Sequence, residues 1–439
     1  MTPLEIGLVI GVVTIIVLAS GIPIAFGLGV VAVGFLILFE GPASLGILGE
    51  TFLGGISEFG LVAIPMFILM GAAVASSPAG RDLYEALDRW LTRVPGGIVI
   101  SNLGACSIFA ALSGSSPATC AAIGKMGIPE MRKRGFSAEL ATGSIAAGGT
   151  LGILIPPSVT MIVYGVATET SIGRLFLAGI FPGAMLTVLF MAWAYFAARR
   201  SGYNFTEATA QRFSFREKLS VLPRVLPFFV IIVGILYVLY GGVATPSEAA
   251  GVGALFVLVL AALIYRLWQP RRIWEILRAS TRESVMIMMI IAASELYSYM
   301  LSNLYVTQSI AEWIAALDVN RWVLMAIINL FLLVAGFFLP PVAVILMATP
   351  ILLPIVTQAG FDPYWFAVVL TINMEIGLIT PPVGLNLYVI NGIAPDVKLQ
   401  TILWGALPFM LCMVLGIVLL CFFPDIATWL PSALMGAEI

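Results

Sequence analysis

The sequence predicts an all-α polytopic membrane protein built from two inverted repeats, each with a re-entrant helical hairpin and a broken helix. Three observations carry that prediction. Of 439 residues, 61% are apolar and only 10% charged, whereas soluble domains carry about 25% charged residues. The apolar runs are continuous and long enough for spans of roughly 20 residues, without the alternation of a barrel strand. Finally, Gly152-Ile153-Leu154-Ile155-Pro156-Pro157 returns 225 residues later as Gly377-Leu378-Ile379-Thr380-Pro381-Pro382.

Composition also excludes chemistry. There is no histidine, which removes Ser-His-Asp and Cys-His nucleophiles and imidazole metal sites. The four cysteines, Cys106, Cys120, Cys412 and Cys421, form no C-x-x-C and read as small hydrophobes in apolar surroundings. A net charge of −2 offers no basic surface for nucleic acid, so the partners to expect are membrane lipid, small ions and solutes.

Taken in order, the apolar stretches are 5–20, 24–39, 61–77, 97–131, 138–167, 174–198, 225–241, 249–265, 285–302, 322–355, 364–393 and 401–423. The first is a retained span, because Met1-Thr2-Pro3-Leu4-Glu5 supplies no positive n-region and no cleavage site follows. Of 21 basic residues, 18 fall in 81–93, 132–134, 199–224, 266–282 and Lys398. By the positive-inside rule these segments are cytoplasmic, with both termini outside. In Arg81–Arg93 the residues Leu83, Leu87, Trp90 and Leu91 recur at helical spacing, and in Arg266–Arg282 so do Ile273, Trp274 and Leu277. Both patterns suit helices lying in the membrane interface.

The threading closes only if 97–131 and 322–355 enter and leave on one side, as hairpins. The first turns at Ser113-Gly114-Ser115-Ser116-Pro117 and the second near Gly336 and Leu339-Pro340-Pro341, clusters that interrupt a helix. A single full span over 97–131 would strand Arg132–Arg134 outside. The 225-residue offset also carries Pro129 onto Pro354 and Gly135-Phe136 onto Gly360-Phe361 without a gap. The chain therefore divides into a first half, 1–198, a cytoplasmic connection, 199–224, and a second half, 225–439. As threaded, the halves run in opposite senses, the pattern of a secondary transporter with its site at the bilayer midplane.

Each Gly-x-x-x-Pro-Pro falls within a spanning stretch, where consecutive prolines delete two amide donors and leave carbonyls unpaired. Such carbonyls are tolerable in a membrane only where protein, water or an ion satisfies them, and Na⁺, a hard cation, suits carbonyl and hydroxyl oxygens. The serine-rich turn adds hydroxyls, and the helix start that follows it suits a carboxylate. The plainer reading is that the small residues only allow close packing; the convergence of hairpin, Pro-Pro break and repeat favours ion binding. Intramembrane Glu295, Glu375 and Lys125 are further candidates. Glu375 supports the break, its cation or a hydrogen bond there; Lys125 attracts an anion or snorkels to the surface; Glu295 has no nameable partner.

These residues resemble the large membrane subunit of the tripartite ATP-independent periplasmic (TRAP) transporters over most of the chain. The resemblance rests on Ser113–Thr119, Ile128–Met131, Gly148–Pro157, Leu175–Gly179 and Asn373–Asn386. It implies an elevator-type, Na⁺-driven importer of organic acids in a bacterial or archaeal inner membrane. It also implies a separate small four-helix membrane subunit, a periplasmic substrate-binding protein, and no cofactor beyond Na⁺ as coupling ion. By similarity, one Na⁺ site maps to Ser113, Ser116, Gly152, Ile155 and Pro156, and a second to Gly336, Gly377, Thr380 and Val383. The candidate substrate contacts are Ser115, Pro117, Thr119 and Asn386. Many relatives have an aspartate at the second hairpin tip where this chain has Pro340. The moving part is expected to comprise both hairpins and both broken helices, with the amphipathic segments and 225–265 in a static frame. A stand-alone carboxylate transporter of related fold is the alternative; an intramembrane enzyme is disfavoured by the missing histidines.

Overall fold

A computed structural model describes residues 1–91, 94, 96–200, 213–316 and 319–436. Residues 201–212, the centre of the expected cytoplasmic connection, lie outside them. The first half runs through α1 (Pro3–Ala19), α2 (Ile24–Glu40), a 3₁₀ turn (Pro42–Ile47), α3 (Leu48–Ile56), a second 3₁₀ turn (Phe59–Val62) and α4 (Ala63–Ala75). It continues with α5 (Ala79–Leu91), α6 (Gly97–Ser113), α7 (Ser116–Lys133), α8 (Ala138–Thr150), α9 (Val159–Ala167) and α10 (Ile172–Arg200). After the short α11 (Phe215–Leu219), the second half has α12 (Leu222–Tyr240), α13 (Pro246–Tyr265), α14 (Pro270–Asn303), α15 (Val306–Ala316) and α16 (Arg321–Phe338). It ends with α17 (Pro341–Gln358), α18 (Pro363–Leu378), α19 (Leu385–Ile393), α20 (Leu399–Phe422) and α21 (Asp425–Met435).

Among the described residues, seven helices are long and apolar enough to cross a membrane, and Pro42–Ile56 with Phe59–Ala75, bent by 55°, makes an eighth if counted as one broken span. This is an all-α polytopic membrane protein. Both 97–131 and 322–355 form two antiparallel arms around a turn, and both Pro-Pro segments interrupt a helix, α8 from α9 and α18 from α19. The 225-residue spacing reaches well beyond the motifs: Ser116–Lys133 and Pro341–Gln358 coincide at both ends. The packing is exchanged between halves. α4 lies along α13 and α14 along α2, while α9 packs on the second hairpin and α19 on the first.

Burial separates two zones. Every residue of Ala141–Thr150 and of Tyr364–Leu378 is buried, so the two helices that lead into the breaks form the centre. Their hydroxyls turn back onto their own helix, as Thr142 Oγ1 donates to Ala138 O and Thr371 Oγ1 to Ala367 O, which satisfies them in an apolar interior. By contrast, α12, α13 and α16 leave apolar faces exposed, including Tyr237, Leu255 and Leu330, surfaces suited to lipid or to another membrane chain.

One expected element differs. Arg266–Arg282 is not a separate interfacial helix; most of it forms the start of the 34-residue α14, about 51 Å long at 1.5 Å per residue. From Arg271 to Asn303 this segment has no glycine or proline, so nothing breaks the helix. Its first-half counterpart contains Gly54, Gly55, Gly60 and Pro65 and is the bent pair α3–α4. The other segment expected at the interface is a helix of its own, α5, with Leu83 buried and Trp90 44% exposed.

Candidate ion and substrate site

The first hairpin tip is built by a change of backbone hand. α6 ends at Ser113, Gly114 takes φ 59°, and extended Ser115 precedes α7. Ser113 Oγ lies 2.9 Å from Thr119 Oγ1, and Thr119 Oγ1 donates to Ser115 O at 2.9 Å. This tip is pressed against the break between α8 and α9. A Cβ on Gly152 would stand 2.6 Å from Ser115 O and 2.8 Å from Ser116 N, so only glycine permits the contact. Ser116 Oγ donates to Thr150 O at 3.1 Å, and Ser158 Oγ closes the far side by donating to Ile153 O. Between these ties the carbonyls of Leu154, Ile155 and Pro156 accept no hydrogen bond from the described chain.

The second half repeats the contact with different side chains. A Cβ on Gly377 would stand 2.4 Å from Gly336 O, and Val383 N donates to Phe337 O at 3.2 Å. Thr380 Oγ1 donates to Ile376 O at 2.6 Å and lies 3.5 Å from Met410 Sδ. The carbonyls of Thr380, Pro381 and Pro382 accept nothing from the described chain. The Pro156–Pro157 and Pro381–Pro382 peptide bonds are both cis. Each half thus presents a glycine at a broken helix, the backbone of a hairpin arm against it, and unpaired carbonyls beyond. Such an oxygen-only donor set fits a hard monovalent cation; among the described residues no group of three or more His, Cys, Asp or Glu side chains is placed to hold a metal ion.

Of the candidate residues, the structure brings Ser113, Ser115, Ser116, Thr119 and Gly152 together at one tip, with Pro117 in the first turn of α7 and Ile155 and Pro156 in the adjoining break. Gly336, Gly377 and Val383 meet at the other, with Thr380 one turn beyond Ile376. Asn386 is buried on α19, where Nδ2 donates to Ala146 O at 3.2 Å, a carbonyl that Cys120 Sγ of α7 also approaches at 3.7 Å, and Oδ1 has no partner. Ala146 precedes Thr150, the acceptor for Ser116, by one turn of α8, about 6 Å. Lys125 is exposed on α7, and Glu295 is exposed on α14 against Gly55. Glu375 makes no hydrogen bond to the break.

Several contributors escape a reading of motifs. Thr150 supplies the carbonyl that fixes Ser116, and Met410 supports Thr380. Asn329 in α16 accepts from Asn373 Nδ2 in α18, tying the hairpin arm to the helix that leads into the second break. A lone asparagine in an otherwise apolar run is the signal that points to Asn329. Two clefts lie away from both tips: an apolar one of about 410 Å³ between α3, α4 and α14, and a polar one of about 390 Å³ beside α5.

Residues 11–426 match the family model described as "Tripartite ATP-independent periplasmic transporter, DctM component". The chain is 37% identical, over 85% of its length and 87% of the relative's, to the C4-dicarboxylate TRAP transporter large permease protein DctM of Pseudomonas aeruginosa. It is 32% identical, over 93% of its length, to the isethionate TRAP transporter permease protein DctMQ of Oleidesulfovibrio alaskensis, and spans 64% of that relative. Its fold is similar to the YdaH transporter of Alcanivorax borkumensis, with TM-score 0.65 and 15% identity over 90% of both chains.

Proposed function

Because the chain belongs to the DctM component family of the tripartite ATP-independent periplasmic transporters, and is a multi-pass protein of the inner membrane, we propose that it is the membrane permease of a Na⁺-driven importer of organic acids. Substrate reaches it from a periplasmic binding protein, and a small four-helix membrane subunit completes the complex. The observation that carries this reading is the repeated contact of hairpin and break, Gly152 on Ser115 and Gly377 on Gly336, each beside unpaired carbonyls.

On this reading the carbonyls of the two breaks, with Ser113 and Ser116 at the first and Thr380 at the second, hold Na⁺. The hydroxyls and the helix start at Ser115–Thr119 receive the substrate carboxylate, where free N–H groups and the dipole favour an anion. Inverted halves then exchange conformations to alternate access, and the hairpins and broken helices travel together because both tips hold the cargo. Family members with C4-dicarboxylate and isethionate in their names support small organic anions as the substrate class.

The test is uptake by liposomes holding this chain and its small subunit, with purified binding protein and C4-dicarboxylate as probe. An inward Na⁺ gradient should drive accumulation, and removing the binding protein should abolish it. Uptake by the chain alone would favour the stand-alone carboxylate transporter, and uptake indifferent to Na⁺ would remove the ion sites.

A further inference from the structure

The apolar cleft of about 410 Å³ runs beside α14 from Leu277 to Met289, and its other wall comes from Phe52 and Ile56 of α3 and Met66 and Leu69 of α4. It exists because a straight helix faces a bent one. α3 comes in close at Gly55, where a Cβ would stand 2.8 Å from the Glu295 side chain, and the 55° bend then carries α4 off along α13. Between them α14 is left partly uncovered.

The walls of this cleft suit an aliphatic chain. Its serines are occupied, since Ser280 Oγ donates to Leu277 O at 3.0 Å and Ser284 Oγ to Ser280 O at 2.7 Å, so a polar solute would lose its water for almost no hydrogen bond in return. From Leu277 to Met289 the cleft follows α14 for about 18 Å at 1.5 Å per residue. A helix with its side chains, 10–12 Å across, would fill roughly 1,400 Å³ over that length. A neighbouring helix could roof the cleft but not enter it.

Charge identifies the other end of the occupant. Over 266–282 there are five arginines and one glutamate. At 100° per residue, Trp274, Thr281, Val285 and Met288 form one stripe of α14 about 60° wide, and Arg278 lies about 20° beyond its edge with Arg282 next to it. Glu283 is on the far side. Arg278 and Arg282 are both exposed and neither has an ion pair among the described residues, whereas Arg271 pairs with Glu275. Two cations one turn apart repel each other, and an anion between them would relieve that. Trp274, 66% exposed on the same stripe, is a residue type that settles at the level of lipid headgroups. The apolar run of α14 begins at Val285, so the basic pair sits at the membrane surface and the cleft leads from it into the hydrocarbon.

We propose that this cleft is a binding site for an anionic phospholipid of the cytoplasmic leaflet, with one acyl chain lying between α4 and α14 and the phosphate held by Arg278 and Arg282. The lipid fills the gap left by the bend and so braces α3 and α4 against α14, apart from both hairpin tips.

The test is native mass spectrometry of the full-length chain, purified in detergent with its small membrane subunit and exchanged into equal amounts of phosphatidylglycerol and phosphatidylethanolamine with identical acyl chains. Wild type should retain phosphatidylglycerol preferentially. Arg278→Gln with Arg282→Gln should lower that preference by about 5-fold per arginine, and Arg278→Lys with Arg282→Lys should keep it, which separates charge from folding. Val285→Trp, at a cleft position that is 55% exposed, should fill the space and release the lipid whatever its headgroup. Equal retention of the two lipids by wild type, or a preference that survives the paired glutamines, would overturn the proposal. So would a photo-cross-linker at Met66 that captures the small subunit in place of lipid. The readout is lipid mass, so it stands or falls independently of Na⁺-driven uptake.

Discussion

The matched glycines offer the sharpest perturbation. Gly152→Ala and Gly377→Ala make the same change at positions 225 residues apart, and each new Cβ meets backbone, at 2.6 Å from Ser115 O and 2.4 Å from Gly336 O. Ordinary contact begins at 3.4 Å, so hairpin and break must part by about 0.8 Å and 1.0 Å respectively, and no rotamer relieves the clash. Overpacking of this kind costs ~1–3 kcal/mol. If the closed contact is what binds Na⁺, that cost emerges as a rise of about 5- to 150-fold in the Na⁺ required for half-maximal uptake. Gly251→Ala is the control: it lies within α13 with nothing within 4 Å, and helix propensity favours alanine there by up to about 1 kcal/mol. Initial uptake rates against Na⁺ concentration, read beside thermal unfolding of each purified variant, give the comparison. Folded Gly152→Ala and Gly377→Ala proteins with unaltered Na⁺ dependence would refute the assignment of either contact to ion binding.

Three further outcomes are expected. Lys133→Cys and Gln358→Cys, at the matched ends of α7 and α17, should label from opposite sides of the membrane in a background lacking the native cysteines; labelling from one side would break the inverted threading. Asp88→Asn should cost ~1–3 kcal/mol, since it weakens a two-armed, charge-assisted contact to Arg134, and a double-mutant cycle with Arg134→Met should recover a coupling of similar size, with additivity counting against it. Glu217 caps α11 by accepting from Ser214 N, and its bonds to the Ser214 backbone and side chain hold its carboxyl below the usual glutamate range. Its stabilisation is therefore present above about pH 4.3 and is lost as pH falls through the lowered folded value. Amide protection in α11, compared with Glu217→Ala, should converge on that variant's level in acid; a constant difference would exclude the cap.

Much of this architecture was legible because membrane helices announce themselves by continuous apolar length and because consecutive prolines have few places to go. The hairpin arms, both breaks and the 225-residue register could be placed from residues such as Pro129, Pro354, Gly152 and Gly377. Lost from view was anything decided by contacts between distant segments. Asp88 and Arg134, or Asn329 and Asn373, carry no mark of each other in the chain. The extent of α14 differs from the sequence expectation for another reason: charge marks Arg266–Arg282 as interfacial, but charge does not end a helix, and without glycine or proline from Arg271 to Asn303 the helix runs on. Glu375 was visible as an intramembrane acid, yet only the packing shows that it answers no partner.

Helix α5 connects these points to the division between moving and static parts. Its amphipathic pattern assigned it to the frame, but it carries two buried carboxylates that face different neighbours. Asp82 is held by Tyr265 of α13 and Arg224 of α12, within the 225–265 region expected to stay still, whereas Asp88 is held by Arg134 beyond the end of the first hairpin. The two lie six residues apart, about 9 Å along the helix. On the elevator reading, the hairpin cannot travel while both attachments persist. Arg224 is 61% exposed where Arg134 is 21% exposed, so one neutral bond from Tyr265 at 2.8 Å with a solvated contact to Arg224 at 3.7 Å is a weaker hold on Asp82 than the two charge-assisted bonds from Arg134 to Asp88. On that reading the Asp82 attachment is the one expected to release, with α5 travelling as an edge of the hairpin. Asp82→Asn should then alter the balance between end states while leaving the hairpin intact, and Asp88→Asn should loosen the hairpin itself.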